Sequence, residues 1–249
     1  MKKNYVETAN GFKERMKKVE KVLEDRTIDN TMAGAKRRID EFYEYKTKDK
    51  NAIIGAQLDL ESMFNNLAMR LSFNNRPEFH PPQGSSLKDV ERAVQHLEEC
   101  EQERKVALHK ELNRQIRLQD IDKQHNDRYG KLKQWIAEKE AYLKTRENIN
   151  SVSGAQLQLR LLDAFDKERI AVDAGSVSKL KTIGEELLRE KYEKINDVRS
   201  REDDIKNQFH NLAELSKDKR PYLDDALARE RFKEKVRIEN QQHIDKHKS

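Results

Sequence analysis

The sequence predicts an all-α protein: two tandem three-helix coiled-coil bundles forming an elongated rod, with one helix shared between them. Three observations carry this prediction. Charged residues make up 39% of the 249-residue chain and hydrophobic residues only 35%, against about 25% and 45–50% in an ordinary globular domain. That is too few apolar residues for one compact globule, yet Leu, Ile, Val and Phe recur too regularly for disorder. A narrow apolar stripe suffices for long amphipathic helices. Proline is nearly excluded: three of the four prolines, Pro77, Pro81 and Pro82, fall within the stretch RPEFHPPQGSSLKDV. Finally, the chain repeats itself at an offset of 120 residues.

The first helix is expected over residues 5–26, with Tyr5, Phe12, Met16, Val19 and Leu23 on one face. TIDNTM then supplies polar capping residues. From Gly34 to Asn75 a 3-4 spacing collects Ala35, Ile39, Phe42, Lys46, Asp49, Ile53, Ala56, Leu60, Met63, Leu67 and Arg70. This predicts a single helix of about ten turns with one buried seam, interrupted by polar residues at Lys46–Lys50. The proline window follows as a stiffened reversal between two long helices. A docking role for it with a proline-recognising partner would need a longer exposed polyproline II stretch than PEFHPP provides.

Helix resumes after Ser85 or Ser86, either of which can cap it, with Asp89 in the first turn. Its seam runs Leu87, Val90, Val94 and Leu97, weakens through Glu101 and Arg104, and resumes at Leu108, Leu112, Ile116 and Leu118. No proline interrupts the chain from Ser85 to Arg146. This suits a helix that ends one bundle and begins the next.

At the 120-residue offset, MKKVEKVLEDR lies over IAEKEAYLKTR, and TMAGAKRRIDEFYEY over SVSGAQLQLRLLDAF. Thr31 meets Ser151, Gly34 meets Gly154, Phe42 meets Leu162 and Tyr45 meets Phe165. Cap and seam match together, as tandem copies of one unit require. Two domains are therefore expected, 1–122 and 123–249. In the second, helices are expected over about 124–146 and 152–190, and a third from Ile195. That third helix carries Ile205, Phe209, Leu212, Leu215 and Tyr222, then a charged tail. Pro221 should either kink or end it.

Composition narrows the function classes. The 51 basic and 46 acidic residues are interspersed: residues 1–122 hold 23 and 22, leaving 28 and 24 for the rest (51 − 23, 46 − 22). Nucleic-acid binders concentrate Lys and Arg on one face, so no nucleic-acid partner is expected. The lone Cys100 cannot form an intrachain disulfide, which fits a reducing compartment. It reads as a small apolar filler or a regulatory thiol. The start, MKKNYVETANGF, lacks the apolar stretch of a secretion signal. The longest apolar runs fall far short of the ~20 residues needed to cross a bilayer, so no membrane insertion is expected and a cytoplasmic location is.

Catalytic and metal motifs are missing. There is no Gly-rich phosphate loop and no calcium-loop pattern. His243 and His247 have ligand spacing but no suitable partners. Cys100 and His96 share a helix face without a pocket. The sequence reads as a non-enzyme with no catalytic residue, cofactor or metal.

The three-helix unit, with Trp135 and Ile136 in LKQWIAEKEAYL, resembles a spectrin repeat. NLAMRLSFNNRPEFHPPQGSSLKDVERAVQHLEECEQ and LHKELNRQIRL are similar to the first rod repeat of the α-actinins, although Arg15 stands where that family has tryptophan. The resemblance makes Pro77, Phe79, Pro81 and Pro82 the loop between the second and third helices of repeat 1. It places Trp135, Ile136, Phe12, Met16, Phe42, Leu162 and Phe209 in the structural core. It further implies a short two-repeat rod that pairs as an antiparallel homodimer. Such a rod would set the spacing between actin-binding heads in a cytoskeletal filament cross-linker. The actin-binding domains, and the EF-hands that would bind calcium, lie outside this chain. Other cytoskeletal proteins could also bind the rod. The rival readings are a monomeric scaffold spacer of the spectrin or plakin kind, and a membrane-curving helical dimer.

Overall fold

The structure is a computed structural model describing residues 1–248, with side chains through residue 245. Every regular element among these residues is helical. In order they are α1 (Lys2–Glu24), α2 (Met32–Thr47), α3 (Asp49–Phe73), α4 (Leu87–Lys144), α5 (Val152–Val172), a π-helical turn (Asp173–Val177), α6 (Ser178–Arg189) and α7 (Ile195–Lys248). The chain divides into two compact units, Met1–Arg117 and Leu118–Ser249, where the sequence suggested a boundary at 122/123. α4 contributes to both.

In unit 1, Phe12 and Met16 of α1, Phe42 of α2, Ile53 and Leu60 of α3, and Leu97 of α4 share one buried cluster. In unit 2, Ile136 of α4, Leu162 and Phe165 of α5, Leu180 of α6, and Phe209 and Leu212 of α7 do the same. Each is a three-sided core of the kind that 3-4 apolar spacing on three helices produces. Each fully buried leucine contributes about 1.5–3 kcal/mol.

The single helix expected over 34–75 is in fact two, separated at Lys48, whose backbone is distorted within the right-handed helical region (φ −105°, ψ −65°). The buried positions explain the break. They run Phe42, then half-buried Tyr45, then Lys50 and Ile53, a five-residue step where a regular seam takes three or four. The expected seam residues Lys46 and Asp49 are exposed, and Lys50 is buried in their place. Unit 2 has a similar irregularity, with buried Val177 five residues after half-buried Val172 and half-buried Gly175 between them. There the π-helical turn absorbs the extra residue within the expected 152–190 helix.

Seam assignments on α4 also need correction. Glu101 and Arg104, expected to weaken the seam, are buried on it, and Gln115 is buried while Ile116 is 52% exposed. Pro221 neither ends α7 nor divides it, because α7 runs through it. Pro221 and Lys217, whose carbonyl it leaves without a helical donor, are both exposed to water.

Candidate association surfaces

Both units are closed by the same local devices. Thr31 Oγ1 accepts from the Gly34 N–H at 2.9 Å, and Ser151 Oγ accepts from the Gly154 N–H at 3.1 Å. These are side-chain N-caps at the paired positions of the repeat. The glycine is needed at the first site, because a Cβ on Gly34 would sit 2.7 Å from Asp29 Cβ. Ser86 and Asp89 cap α4 reciprocally: the Asp89 N–H reaches Ser86 Oγ and the Ser86 N–H reaches Asp89 Oδ2, each at 3.2 Å.

The far ends of the first helices are held by cations. Arg26 donates to the Leu23 carbonyl and Arg146 to that of Leu143. From the third helix of unit 1, Arg104 donates to the Asp25 carbonyl. In unit 2, Lys219 donates to the carbonyls of Tyr142 and Thr145 at 3.0 and 2.8 Å. Positive donors at a helix C-terminus satisfy its orphan carbonyls and its dipole together. Arg104 and Lys219 are 115 residues apart (219 − 104), not 120. The loop at 190–194 is shorter than its counterpart at 74–86, which shifts the correspondence for the third helix.

Polar side chains are also buried midway along each bundle. Glu101 accepts from Tyr45 Oη at 2.8 Å, Lys46 Nζ at 2.7 Å and Lys50 Nζ at 3.0 Å. Burial works to raise the Glu101 carboxyl, but the three donors outweigh it and hold it below the usual range. Burial, then the bond to Glu101, pushes the Tyr45 phenol well up. In unit 2, Ser216 donates to Asp166 at 2.9 Å. His125 is wholly buried, with Nε2 3.3 Å from Glu202 and no partner for Nδ1. Burial, then the Arg201 charge, brings its pKa down to about 4.

The loop at 74–86 lies on the first helix of unit 1. Phe79 is half-buried, edge-on to Tyr5 with centroids 5.8 Å apart, while Tyr5 Oη donates to the Ser85 carbonyl at 2.9 Å. Pro77 and Pro82 are exposed and Pro81 is half-buried. Trp135 is half-buried at the rim of its core. It stacks on Phe209 and Phe165 and donates its indole N–H to Glu168 at 2.9 Å. Rim placement also accounts for Arg15, its counterpart in the repeat, which is exposed.

Burial, then nearby Glu20 and Glu24, pushes the Cys100 thiol up, away from the thiolate. Among the described residues, no group of three or more His, Cys, Asp or Glu could hold a metal ion. No helix there is long and apolar enough to cross a membrane. One cleft is lined by charged side chains, among them Asp122, Lys123, Asp197 and Arg201. Extended helix faces are the surface on offer.

Residues 123–225 match the spectrin repeat family. The chain is 28% identical over 203 residues to alpha-actinin-4 of Mus musculus and of Rattus norvegicus, covering 81% of this chain and 22% of each relative. It is 27% identical over 202 residues to alpha-actinin A of Dictyostelium discoideum, covering 81% of this chain and 24% of that protein. It spans less than a quarter of the length of these relatives.

Proposed function

The chain is α-actinin-like and carries a spectrin repeat, and on that premise we propose that it is the dimerising rod of an actin filament cross-linker. Two chains pair antiparallel and fix the distance between actin-binding domains carried by other parts of the protein. Calcium, where it acts, is bound by those other parts, and the setting is the cytoplasmic actin cytoskeleton. The role is mechanical rather than enzymatic, as the family resemblance indicates. One observation carries the reading: α-actinin likeness extends over 81% of the chain, across both three-helix units rather than one.

Surface ion pairs add little singly, so affinity would accumulate over long faces and weaken moderately with salt. Sedimentation equilibrium tests the association. The account requires twice the chain's 29.4 kDa at tens of micromolar. A 29.4 kDa species at that concentration would leave a monomeric scaffold spacer instead.

A further inference from the structure

In a chain that is 39% charged, one helix surface stands nearly free of charge. Between Asn51 and Met69 only Asp59 and Glu61 carry charge. The outward side of α3 exposes Ile54, Leu58, Met69 and Phe73, at 40–88%. These are not scattered. Gly55, Leu58, Ser62, Asn65 and Met69 follow a second 3-4 spacing, separate from the buried one through Ile53, Leu60 and Leu67. α5 has a counterpart in exposed Leu157, Leu161, Ala164, Glu168 and Ala171, beside its buried Ala155, Leu162 and Phe165. Apolar and small residues sustained at this spacing are what a packed partner helix needs.

Over the stretch from Asn51 to Met69 the charges flanking the α3 seam are acidic, whereas those flanking the α5 seam are mostly basic. On α3, Glu61 immediately precedes the seam residue Ser62. On α5, Arg160 immediately precedes Leu161, and Lys167 immediately precedes Glu168. The acids of α5 are engaged elsewhere: Asp163 with Arg220 at 2.6 Å, and Glu168 with Lys139 at 2.7 Å. When two helices pack side by side, like flanks meet if they run antiparallel and opposite flanks meet if they run parallel. The opposite flank of α5 holds Gln158, Leu162, Phe165, Arg169 and Val172, of which Arg169 alone is charged. Antiparallel packing brings Glu61 to Arg160 and Lys167, and Asp59, on the other flank of α3, to Arg169. Pairing α3 with α3 would set acid against acid, and pairing α5 with α5 would set base against base.

We propose that α3 of one copy packs antiparallel along α5 of a second copy, with Glu61 facing Arg160 and Lys167. This rests on the dimer reading above and names the faces that make it. Twofold symmetry forms the contact twice.

The test uses the full chain, with the dissociation constant measured by sedimentation. Glu61→Lys alone, and Arg160→Glu with Lys167→Glu alone, should each weaken self-association on the order of tenfold or more, since both contacts of the pair become repulsive. Mixing the two variants should restore association to within about twofold of the unaltered chain, because both contacts are then complementary again. All substituted positions are exposed, and unchanged circular dichroism would show that the fold is intact. An unaltered chain that dimerises alongside variants that dimerise equally well overturns the α3–α5 contact and leaves the dimer standing. Variants that weaken but do not rescue each other overturn it too. An unaltered chain that stays monomeric removes both.

Discussion

Lys219 is the side chain whose removal should reveal most about how the repeats are held. It is wholly buried, donates to the carbonyls of Tyr142 and Thr145, and reaches Glu147 Oε1 at 2.8 Å. Its ammonium also lies 4.5 Å from the centre of the Tyr142 ring. Lys219→Met keeps the length of the stem and deletes the charge. Two carbonyls at the end of α4 then lose their buried donor, and Glu147 loses its counter-ion. Breaking a fully buried ion pair costs about 3–5 kcal/mol. The Glu147 side chain is 21% exposed, so water screens part of the loss, and about 2–3 kcal/mol remains. Trp135 is the only tryptophan and packs on the core of unit 2, so its emission during urea unfolding reports that unit. With a urea slope of roughly 2 kcal/mol per molar, the midpoint should fall by about 1 M. A shift below about 0.2 M would refute the reasoning, showing that water serves these carbonyls as well as the lysine does.

Trp135→Ala removes a rim residue stacked on Phe165 and Phe209, so the loss should be about 2 kcal/mol, below the 3–5 kcal/mol of a fully buried ring; native emission should be intermediate between buried and water-exposed. Gly130 lies inside α4 with nothing within 4 Å of a Cβ, so in thermal unfolding Gly130→Ala should stabilise by about 0.5–1 kcal/mol, while Gly130→Pro should destabilise by about 3 kcal/mol or more. His125 has a folded pKa lowered to about 4 against about 6.5 unfolded. Its contribution is thus complete above pH 6.5 and is lost as the pH falls from there towards 4, where the unfolded chain takes up a proton that the folded one refuses. Glu202, pushed up chiefly by burial, offsets part of that loss. His125→Gln should flatten the stability profile across the same window, read from urea midpoints.

What the sequence showed and what it concealed separate along physical lines. The paired caps Thr31 and Ser151 were legible because a hydroxyl three residues before a glycine, repeated with the seam behind it, has one local explanation. Ile195 as the start of α7 was legible for a similar reason, since the apolar stripe restarts after charged residues. The breaks within the second helices were not. A five-residue step from Tyr45 to Lys50 looks like a fading seam until Glu101 is known to receive the lysine, and that partner lies 51 residues away. Arg104 misled in the same way, because its partner is a main-chain carbonyl and leaves no mark in the sequence. Proline at position 221 read as a kink or an end, whereas α7 runs on through it at an exposed stretch of the helix. The charge-poor face of α3 was visible in the letters, as 19 residues with two charges, but its second seam is recognised as outward only once the first is known to be buried.

The central claim is antiparallel pairing, and intermolecular energy transfer tests it most directly. With Cys100→Ala as background, one population carries a donor on Lys3→Cys and another an acceptor on Asp245→Cys. Mixed at tens of micromolar, they should show efficient transfer, while donor and acceptor both placed through Lys3→Cys should show little. Efficient transfer between the two position-3 labels, with none between positions 3 and 245, would contradict the account.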